Sequence, residues 1–228
     1  MERTADIVII GGGVIGLSIA YHLASKKAGR IVLFEKGQLG EGSTSRCVGG
    51  IRTQFSTEIN IRFSLESIKT FDRFKDEFGI DPEFRRIGYL FLGTTKEEME
   101  IFRANAALQR RFSIPVELLD REEIFRRWSY LRTDDVLGGT FCSWDGYAGP
   151  SEVLSGFASG ARRQGVSIHE AEEVIGILVE KGRVQGVQTP KDRLFAPIVV
   201  NAAGPFASIV GKRAGVDVPV KPLRRQVF

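Results

Sequence analysis

The chain has 228 residues, of which 43% are hydrophobic and 26% charged, values typical of a globular protein and unlike those of disordered, collagen-like or coiled-coil sequences. Its formal net charge of +4 is spread over 32 basic and 28 acidic residues with no basic stripe, so we expect no nucleic-acid partner. Two distant cysteines, Cys47 and Cys142, predict neither a disulfide framework nor a metal site and fit a reducing cytoplasm.

The first elements of the chain form a predicted βαβ unit. The β-branched run 6–10 predicts a strand buried on both faces, and it ends at three consecutive glycines. Apolar residues recur with a helical period over 14–26, and 30–35 predicts a second buried strand. The apolar run 7–20 contains four glycines and has no cationic leader, so it predicts neither a signal peptide nor a membrane span.

The rest of the chain has a mixed pattern that returns to a parallel-sheet pattern near its end. Residues 40–50 read as a loop rich in Gly, Ser and Thr. The predicted helices are 58–78, 95–112, 120–128, 150–164 and one beginning near Pro205. The predicted strands are 86–93, 138–143, 166–169, 174–180, 183–188, 194–200 and one beginning at Pro219. We therefore predict an α/β fold in which two sequence segments form a cofactor domain and a further domain is inserted between them.

A glycine motif follows the first predicted strand and opens the first predicted helix. In Gly11-x-Gly13-x-x-Gly16 the first glycine allows a tight turn, the second a close approach of pyrophosphate, and the third close helix packing. Glu35 ends the second strand, where dinucleotide-binding units place an acid that accepts hydrogen bonds from ribose hydroxyls. The alternative is an ordinary strand-to-helix turn and a solvated acid. We favour a dinucleotide because the strand, the glycines, the helix, the second strand and the acid follow one another as they do in dinucleotide-binding units. The predicted cofactor residues are Gly11, Gly13, Val14, Ile15, Gly16, Glu35 and Lys36.

Both NAD and FAD use this unit, and a family resemblance decides between them. It is carried by Ile7 to Ala24 with Phe34-Glu35-Lys36, by Gly42 to Arg52, by Asp145 to Pro150, and by Val199 to Gly204. On these segments the chain resembles the D-amino-acid-oxidase superfamily of FAD-dependent oxidoreductases. Within it the chain is most similar to the branch of sarcosine oxidase β-subunits, glycine oxidase and dye-linked L-proline dehydrogenases. The resemblance implies FAD as the cofactor.

The resemblance also implies flavin contacts outside the glycine motif. Ser43, Thr44 and Arg46 would lie near the pyrophosphate and ribityl chain, and Gly49-Gly50 would pass close to the isoalloxazine. Val174 would meet the adenine through its backbone, while Ala203 and Gly204 would approach the phosphates. Cys47 lies in the same loop, where we expect a small apolar filler rather than a reactive thiol. For Ser43 to Ser45 a polar surface turn is the alternative.

One residue is predicted to contact the substrate. Arg52 matches a position at which amine-oxidising relatives hold an arginine against the substrate carboxylate. A guanidinium fork grips a carboxylate in two places and would fix which Cα–H faces the flavin. The alternative for Arg52 is a salt bridge to Glu58. The resemblance implies oxidation of the C–N bond of an amino acid or secondary amine of the sarcosine, glycine or proline type, with hydride transfer to flavin.

The resemblance implies a Rossmann-like FAD-binding domain, residues 1–82 and 146–216, with an inserted α+β substrate domain at 83–145 and 217–228. The substrate domain is expected to be incomplete, because family members continue considerably further than Phe228. We expect a partner subunit or another electron acceptor, and a cytoplasmic location. Two alternatives stay open: a flavoprotein dehydrogenase of a 2-hydroxy acid or glycerol phosphate, and a truncated nucleotide-binding fragment without turnover.

Overall fold

A computed structural model describes residues 4–224 and residue 226, and within them the chain forms twelve β-strands and six α-helices. The strands are β1 (Ile7–Ile10), β2 (Ile31–Phe34), β3 (Gly50–Ile51), β4 (Tyr89–Gly93), β5 (Val116–Asp120), β6 (Gly138–Cys142), β7 (Gly146–Tyr147), β8 (Ser167–His169), β9 (Gly176–Glu180), β10 (Arg183–Gln188), β11 (Arg193–Phe195) and β12 (Ile198–Asn201). The helices are α1 (Val14–Ser25), α2 (Glu58–Phe78), α3 (Lys96–Arg110), α4 (Arg121–Arg127), α5 (Pro150–Arg163) and α6 (Ala207–Arg213). None of these helices is long and apolar enough to cross a membrane.

The described chain divides into two compact units. The first unit runs to Val48, includes Phe78–Ile80 and resumes at Pro150. The second unit consists of Gly49–Glu77 and Asp81–Gly149. The second unit therefore takes in nearly all of α2, which precedes the predicted start of the inserted domain at residue 83. The assignment of cofactor and substrate domains to particular boundaries stays a prediction.

A four-stranded parallel sheet with the order β12-β1-β2-β8 forms the first unit. Strand β1 pairs over its whole length with β2 on one side and with β12 on the other. Every residue of β1 and β2 is buried, which explains their continuous apolar sequences. The predicted βαβ start is confirmed, and the carboxyl ends of these strands meet at one edge of the sheet, where open α/β sheets bind their ligands.

The parallel sheet is covered on both faces. On one face Val8, Val32 and Phe34 pack with Val187 and Leu194, which belong to the antiparallel sheet β11-β10-β9. Because side chains alternate along a strand, the intervening residues of β1 and β2 point to the opposite face, where α1 packs on both strands and on α5. The result is the α/β layering that the sequence predicts.

The second unit is built on an antiparallel sheet with the order β4-β6-β5. The side chain of Thr95 accepts a hydrogen bond from the backbone of Glu98 and the reciprocal bond is also present, so α3 begins with a complete capping box. Asp120 caps α4 by accepting a 2.8 Å hydrogen bond from the backbone N–H of Glu123. The unit also contains the two-stranded ribbon β3-β7.

Two predicted strands need correction, and strand β5 was missed. The strand predicted over 194–200 is two strands, β11 in the antiparallel sheet and β12 in the parallel sheet, because Pro197 between them has no N–H to donate to a ladder. No strand lies at 219–222, where Pro219 and Pro222 would each leave such a gap. Strand β5 was not predicted, since its Val-Glu-Leu-Leu-Asp sequence lies between two helices and has no regular alternation.

Candidate functional site

The glycine turn between β1 and α1 is shaped by contacts that leave no room for side chains. Gly11 has a φ of +115°, and a Cβ on it would lie 2.4 Å from the carbonyl oxygen of Ala202. A Cβ on Gly16 would lie 1.9 Å from the carbonyl oxygen of Gly11. The fold itself therefore requires glycine at these two positions, the first for the turn and the second for helix packing.

Gly13 differs from the other two glycines of the motif. Its φ of −76° and ψ of 176° are open to any residue. A Cβ there would meet only the hydroxyl oxygen of Thr44, at 3.3 Å. The protein's own packing therefore does not explain the glycine. The space that a side chain would take is the space through which a pyrophosphate approaches the backbone in this motif.

The amino terminus of α1 offers hydrogen-bond donors at the same place. The N–H of Val14 donates to the hydroxyl of Thr44 over 3.1 Å. The N–H groups of Ile15 and Gly16 have no acceptor among the described residues, and the first turn of α1 contains no acidic side chain. Free N–H groups and the positive end of the helix dipole favour an anion. These residues therefore fit a pyrophosphate.

Glu35 is locked to the backbone on both sides. Its Oε2 accepts a 2.7 Å hydrogen bond from the N–H of Gly12, and its Oε1 accepts a 2.9 Å bond from the N–H of Gly37. A carboxylate has about four acceptor positions, so each oxygen keeps a lone pair. The half-buried carboxylate is thus oriented by the chain and still able to accept from ribose hydroxyls, the role predicted for it.

The structure brings predicted Val174 to the neighbourhood of Glu35. The backbone N–H of Glu172 donates to the carbonyl oxygen of Glu35 over 2.9 Å. Val174 is buried, its carbonyl oxygen accepts from the guanidinium of Arg213, and its N–H has no acceptor among the described residues. The unpaired backbone N–H of Val174 is a donor that suits the predicted contact with adenine.

Predicted Ala203 and Gly204 follow β12, on the other side of the glycine turn. The neighbouring Ala202 joins the two segments, because its N–H donates to the carbonyl oxygen of Ile10 over 2.9 Å. Gly204 has a φ of +53° with open space beside it. In addition, the ammonium of Lys36 lies 3.7 Å from the ring centre of Phe206.

The loop residues are less enclosed. Ser43, Arg46 and Cys47 are exposed, and Thr44 is half-buried. The thiol of Cys47 is free and donates to the carbonyl oxygen of Thr44 over 3.2 Å, so the expectation that it is an apolar filler is wrong. Gly49 and Gly50 belong to the second unit, where Gly50 pairs with Tyr147.

Arg52, in the second unit, has no acidic partner among the described residues. Its guanidinium carbon lies 4.8 Å from the ring centre of Phe55 and 5.4 Å from that of Phe91. Glu58 binds Arg62 instead, over 2.7 Å, so the alternative of an Arg52–Glu58 salt bridge is wrong. The charge of Arg52 borders a small cavity of about 170 Å³, which leaves the guanidinium available to an anion.

A buried polar cluster, which the sequence does not predict, lies beside Arg52. The carboxylate of Asp145 is fully buried and accepts 2.7 Å hydrogen bonds from both the N–H and the hydroxyl of Thr53. The side-chain amide of Gln54 donates to it over 3.1 Å. Burial raises the pKa of Asp145, although these hydrogen bonds act in the opposite direction. Aspartate followed by glycine is typical of an exposed turn, so the local sequence does not indicate that the acid is buried.

The cluster borders the cavity beside Arg52 through Gln54. Gln54 and Gln109 both line the cavity, and both side-chain Oε1 atoms are buried without a hydrogen-bond donor. The amide of Gln109 donates to the carbonyl oxygen of Phe55 over 3.0 Å, which fixes its orientation. No group of side chains suited to a metal ion occurs among the described residues.

A parallel sheet with a glycine turn, a free helix amino terminus and an acid at the end of the next strand defines a dinucleotide-binding α/β protein. The family model described as "FAD dependent oxidoreductase" (DAO) matches residues 6–228. The chain belongs to the DAO family of FAD-dependent oxidoreductases, whose cofactor is FAD, and the cradle around Gly13 fits that cofactor.

Curated relatives include enzymes and a regulatory protein. Dimethylglycine dehydrogenase of Rattus norvegicus is 33% identical over 97% of this chain and 26% of its own length. Glycine oxidase of Geobacillus kaustophilus is 29% identical over 98% of this chain and 61% of its own length. The regulatory subunit of pyruvate dehydrogenase phosphatase of Mus musculus is 31% identical over 92% of this chain and 24% of its own length.

Solved structures agree with this family. L-proline dehydrogenase from P. horikoshii superposes with a TM-score of 0.85 at 35% identity, over 95% of this chain and 57% of that protein. Glycine oxidase from Geobacillus kaustophilus gives a TM-score of 0.82 at 26% identity, over 96% of this chain and 60% of that protein. The chain thus spans about a quarter to three-fifths of the relatives that it matches.

Proposed function

We propose that this chain binds FAD in its first unit and forms part of an enzyme that oxidises the C–N bond of an amino acid or secondary amine. The observation that carries the proposal is the cradle at the glycine turn. There Gly13 has no side chain, the N–H groups of Ile15 and Gly16 have no acceptor among the described residues, and the N–H of the adjacent Gly12 holds the carboxylate of Glu35. The names of the relatives supply the reaction class, since they include dimethylglycine dehydrogenase, sarcosine dehydrogenase and glycine oxidase.

Arg52 is the residue that we propose for recognition of the substrate carboxylate. Its guanidinium lies over the rings of Phe55 and Phe91 and has no acidic partner in the described part of the chain, so an incoming carboxylate would not have to displace one. The cavity of about 170 Å³ beside it is smaller than the roughly 300–1,000 Å³ of pockets for drug-sized ligands. That volume suits a small amino acid such as sarcosine or proline.

The flavin supplies the redox chemistry when it is bound, and this chain supplies binding and orientation. In the first unit the helix amino terminus would offset the charge of the phosphates, and Glu35 would hold the ribose. In the second unit Arg52 would fix the substrate through its carboxylate, while the rings of Phe55 and Phe91 keep water from one side of the guanidinium. No side chain is assigned a proton transfer.

The direct test of this function uses flavin absorbance. The purified protein, reconstituted with FAD, is mixed anaerobically with sarcosine, dimethylglycine, glycine or L-proline, and in parallel with lactate or glycerol 3-phosphate. The proposal predicts bleaching of the flavin band by at least one amine and not by the hydroxy compounds. Bleaching by lactate or glycerol 3-phosphate alone would instead support the alternative of a 2-hydroxy acid or glycerol phosphate dehydrogenase.

A second candidate is nucleotide binding without turnover. It is favoured by the similarity to a relative that is named a regulatory subunit. It predicts FAD binding with no bleaching by any of the six compounds. We also propose a partner subunit or separate electron acceptor, in line with the relative named sarcosine oxidase subunit beta, and a cytoplasmic location, which two free cysteines support.

A further inference from the structure

Two exposed residues meet beside the cofactor cradle. Lys36 follows β2 by two positions, and Phe206 ends the short 3-10 turn Gly204–Phe206 that follows β12. The ammonium of Lys36 lies 3.7 Å from the ring centre of Phe206, well within the distance at which a cation is attracted by an aromatic face. This is a direct contact between two loops that are distant in sequence.

The position of this contact follows from the strand order. Strands β2 and β12 lie on opposite sides of β1, so the two loops leave the same edge of the sheet about 10 Å apart, two strand spacings. Between them lies the glycine turn, which is packed against Glu35 on one side and Ala202 on the other. The Lys36–Phe206 contact therefore bridges the two walls of the cradle in which we place the dinucleotide.

The packing of the protein does not explain the pair. Lys36 is exposed and has no carboxylate partner among the described residues. The Phe206 ring is 45% exposed, so nearly half of its surface lies outside the core of the unit. The contact thus adds little to the core of the unit, while it ties together the two segments between which a ligand must pass.

We propose that Lys36 and Phe206 form a clasp that slows the release of the bound dinucleotide. This inference rests on the proposed FAD site and adds a retention role to it. The clasp acts through its two side chains: the cation of Lys36 is held by the ring of Phe206, and the bridge must open before the cofactor leaves. Its loss raises the dissociation rate of FAD and does not slow association.

The experiment measures FAD release from the wild-type chain and from Lys36→Met, Phe206→Leu and the double variant, by the recovery of flavin fluorescence after dilution. An exposed cation–π contact has a strength that corresponds to about a two- to fivefold change in rate. Each single variant is expected to release FAD faster by about this factor. The double variant is expected to release FAD no faster than either single variant, because the two substitutions break the same contact. Lys36→Arg and Phe206→Trp keep the contact and are expected to release FAD at the wild-type rate.

A matched control removes a charge elsewhere. Lys26 is exposed just beyond the opposite end of α1, so Lys26→Met is expected to leave the release rate unchanged. Unchanged release from Phe206→Leu, or additive effects in the double variant, would overturn the clasp while leaving the FAD site intact. A wild-type chain that takes up no FAD would overturn the proposed function and the clasp together. Thermal unfolding of the apoproteins verifies that the variants fold.

Discussion

The backbone N–H of Gly12 donates a 2.7 Å hydrogen bond to Oε2 of Glu35. The acid at the end of β2 therefore holds the glycine turn at the end of β1, in addition to any bond that it makes to a ribose. The two parts of the dinucleotide motif are physically coupled: the turn orients the carboxylate, and the carboxylate satisfies a backbone donor that would otherwise stay unpaired.

Replacement of Glu35 by glutamine tests this coupling. The amide keeps one acceptor oxygen but presents an NH₂ group to a backbone N–H, so one of the two present hydrogen bonds is lost along with the charge. We expect FAD to bind about tenfold more weakly, equivalent to about 1.4 kcal/mol. Titration of flavin fluorescence measures the change. Glu180→Gln, on the exposed hairpin strand β9, is the control for loss of charge, and an equal effect in both variants would refute the role of Glu35.

Two alanine variants distinguish the role of Gly13 in cofactor binding from the role of Gly16 in helix packing. Gly13→Ala is expected to fold normally, because its backbone angles suit alanine and its Cβ meets only the Thr44 hydroxyl, yet to lose FAD affinity by about tenfold or more. Gly16→Ala is expected to lower the free energy of unfolding by about 1–3 kcal/mol, as overpacking does. Urea denaturation and FAD titration measure both quantities. The interpretation fails if Gly13→Ala binds FAD as well as the wild type.

The cofactor half of the site was predictable because its elements are local in sequence. The buried strand, the glycines and Glu35 occupy one continuous stretch, and each residue type has a backbone or packing reason to stand where it does. The same locality made α1 and α2 predictable, since each has a clear helical period.

The second unit was harder to predict because its site is assembled from distant segments. Asp145 contacts Thr53 across ninety-two positions, and a turn sequence gives no sign of such a partner. Strand β5 exists because β6 pairs with it, a tertiary effect that outweighs its weak local pattern. The predicted strand 194–200 likewise divides into β11 and β12 because the first part pairs with β10 and the second with β1.

Arg52 gives a third prediction. Arg52→Lys keeps the charge but loses the planar fork that grips a carboxylate in two places. We expect the dissociation constant for a small carboxylate such as acetate or L-proline to rise about tenfold, while FAD affinity is unchanged. Perturbation of the flavin spectrum reports the ligand. Arg103→Lys, on the exposed side of α3, is the matched control, and equal binding by Arg52→Lys and the wild type would remove Arg52 from the site.

The buried acid predicts a dependence of stability on pH. Since burial raises the pKa of Asp145 in the folded state, the folded chain holds this proton more tightly than the unfolded chain does. The resulting stabilisation is present at low pH and is lost as the pH rises from about 4, the ordinary value for aspartate, through the raised value. Asp145→Asn has no such group. The difference in free energy of unfolding between wild type and variant should therefore shift in favour of Asp145→Asn as the pH rises, and a difference that stays constant with pH would contradict the assignment.

The most direct test of the FAD cradle compares the affinity of the apoprotein for FAD, ADP and FMN, measured by isothermal titration. In the proposed placement, the residues around Gly13, Glu35 and Val174 would contact the pyrophosphate, the ribose and the adenine of FAD. FMN has no adenosine and only one of the two phosphates. FAD is therefore expected to bind most tightly, ADP to compete with it, and FMN to bind at least about tenfold more weakly than FAD. Equal binding of FMN and FAD, or a failure of ADP to compete, would contradict the FAD cradle in this chain.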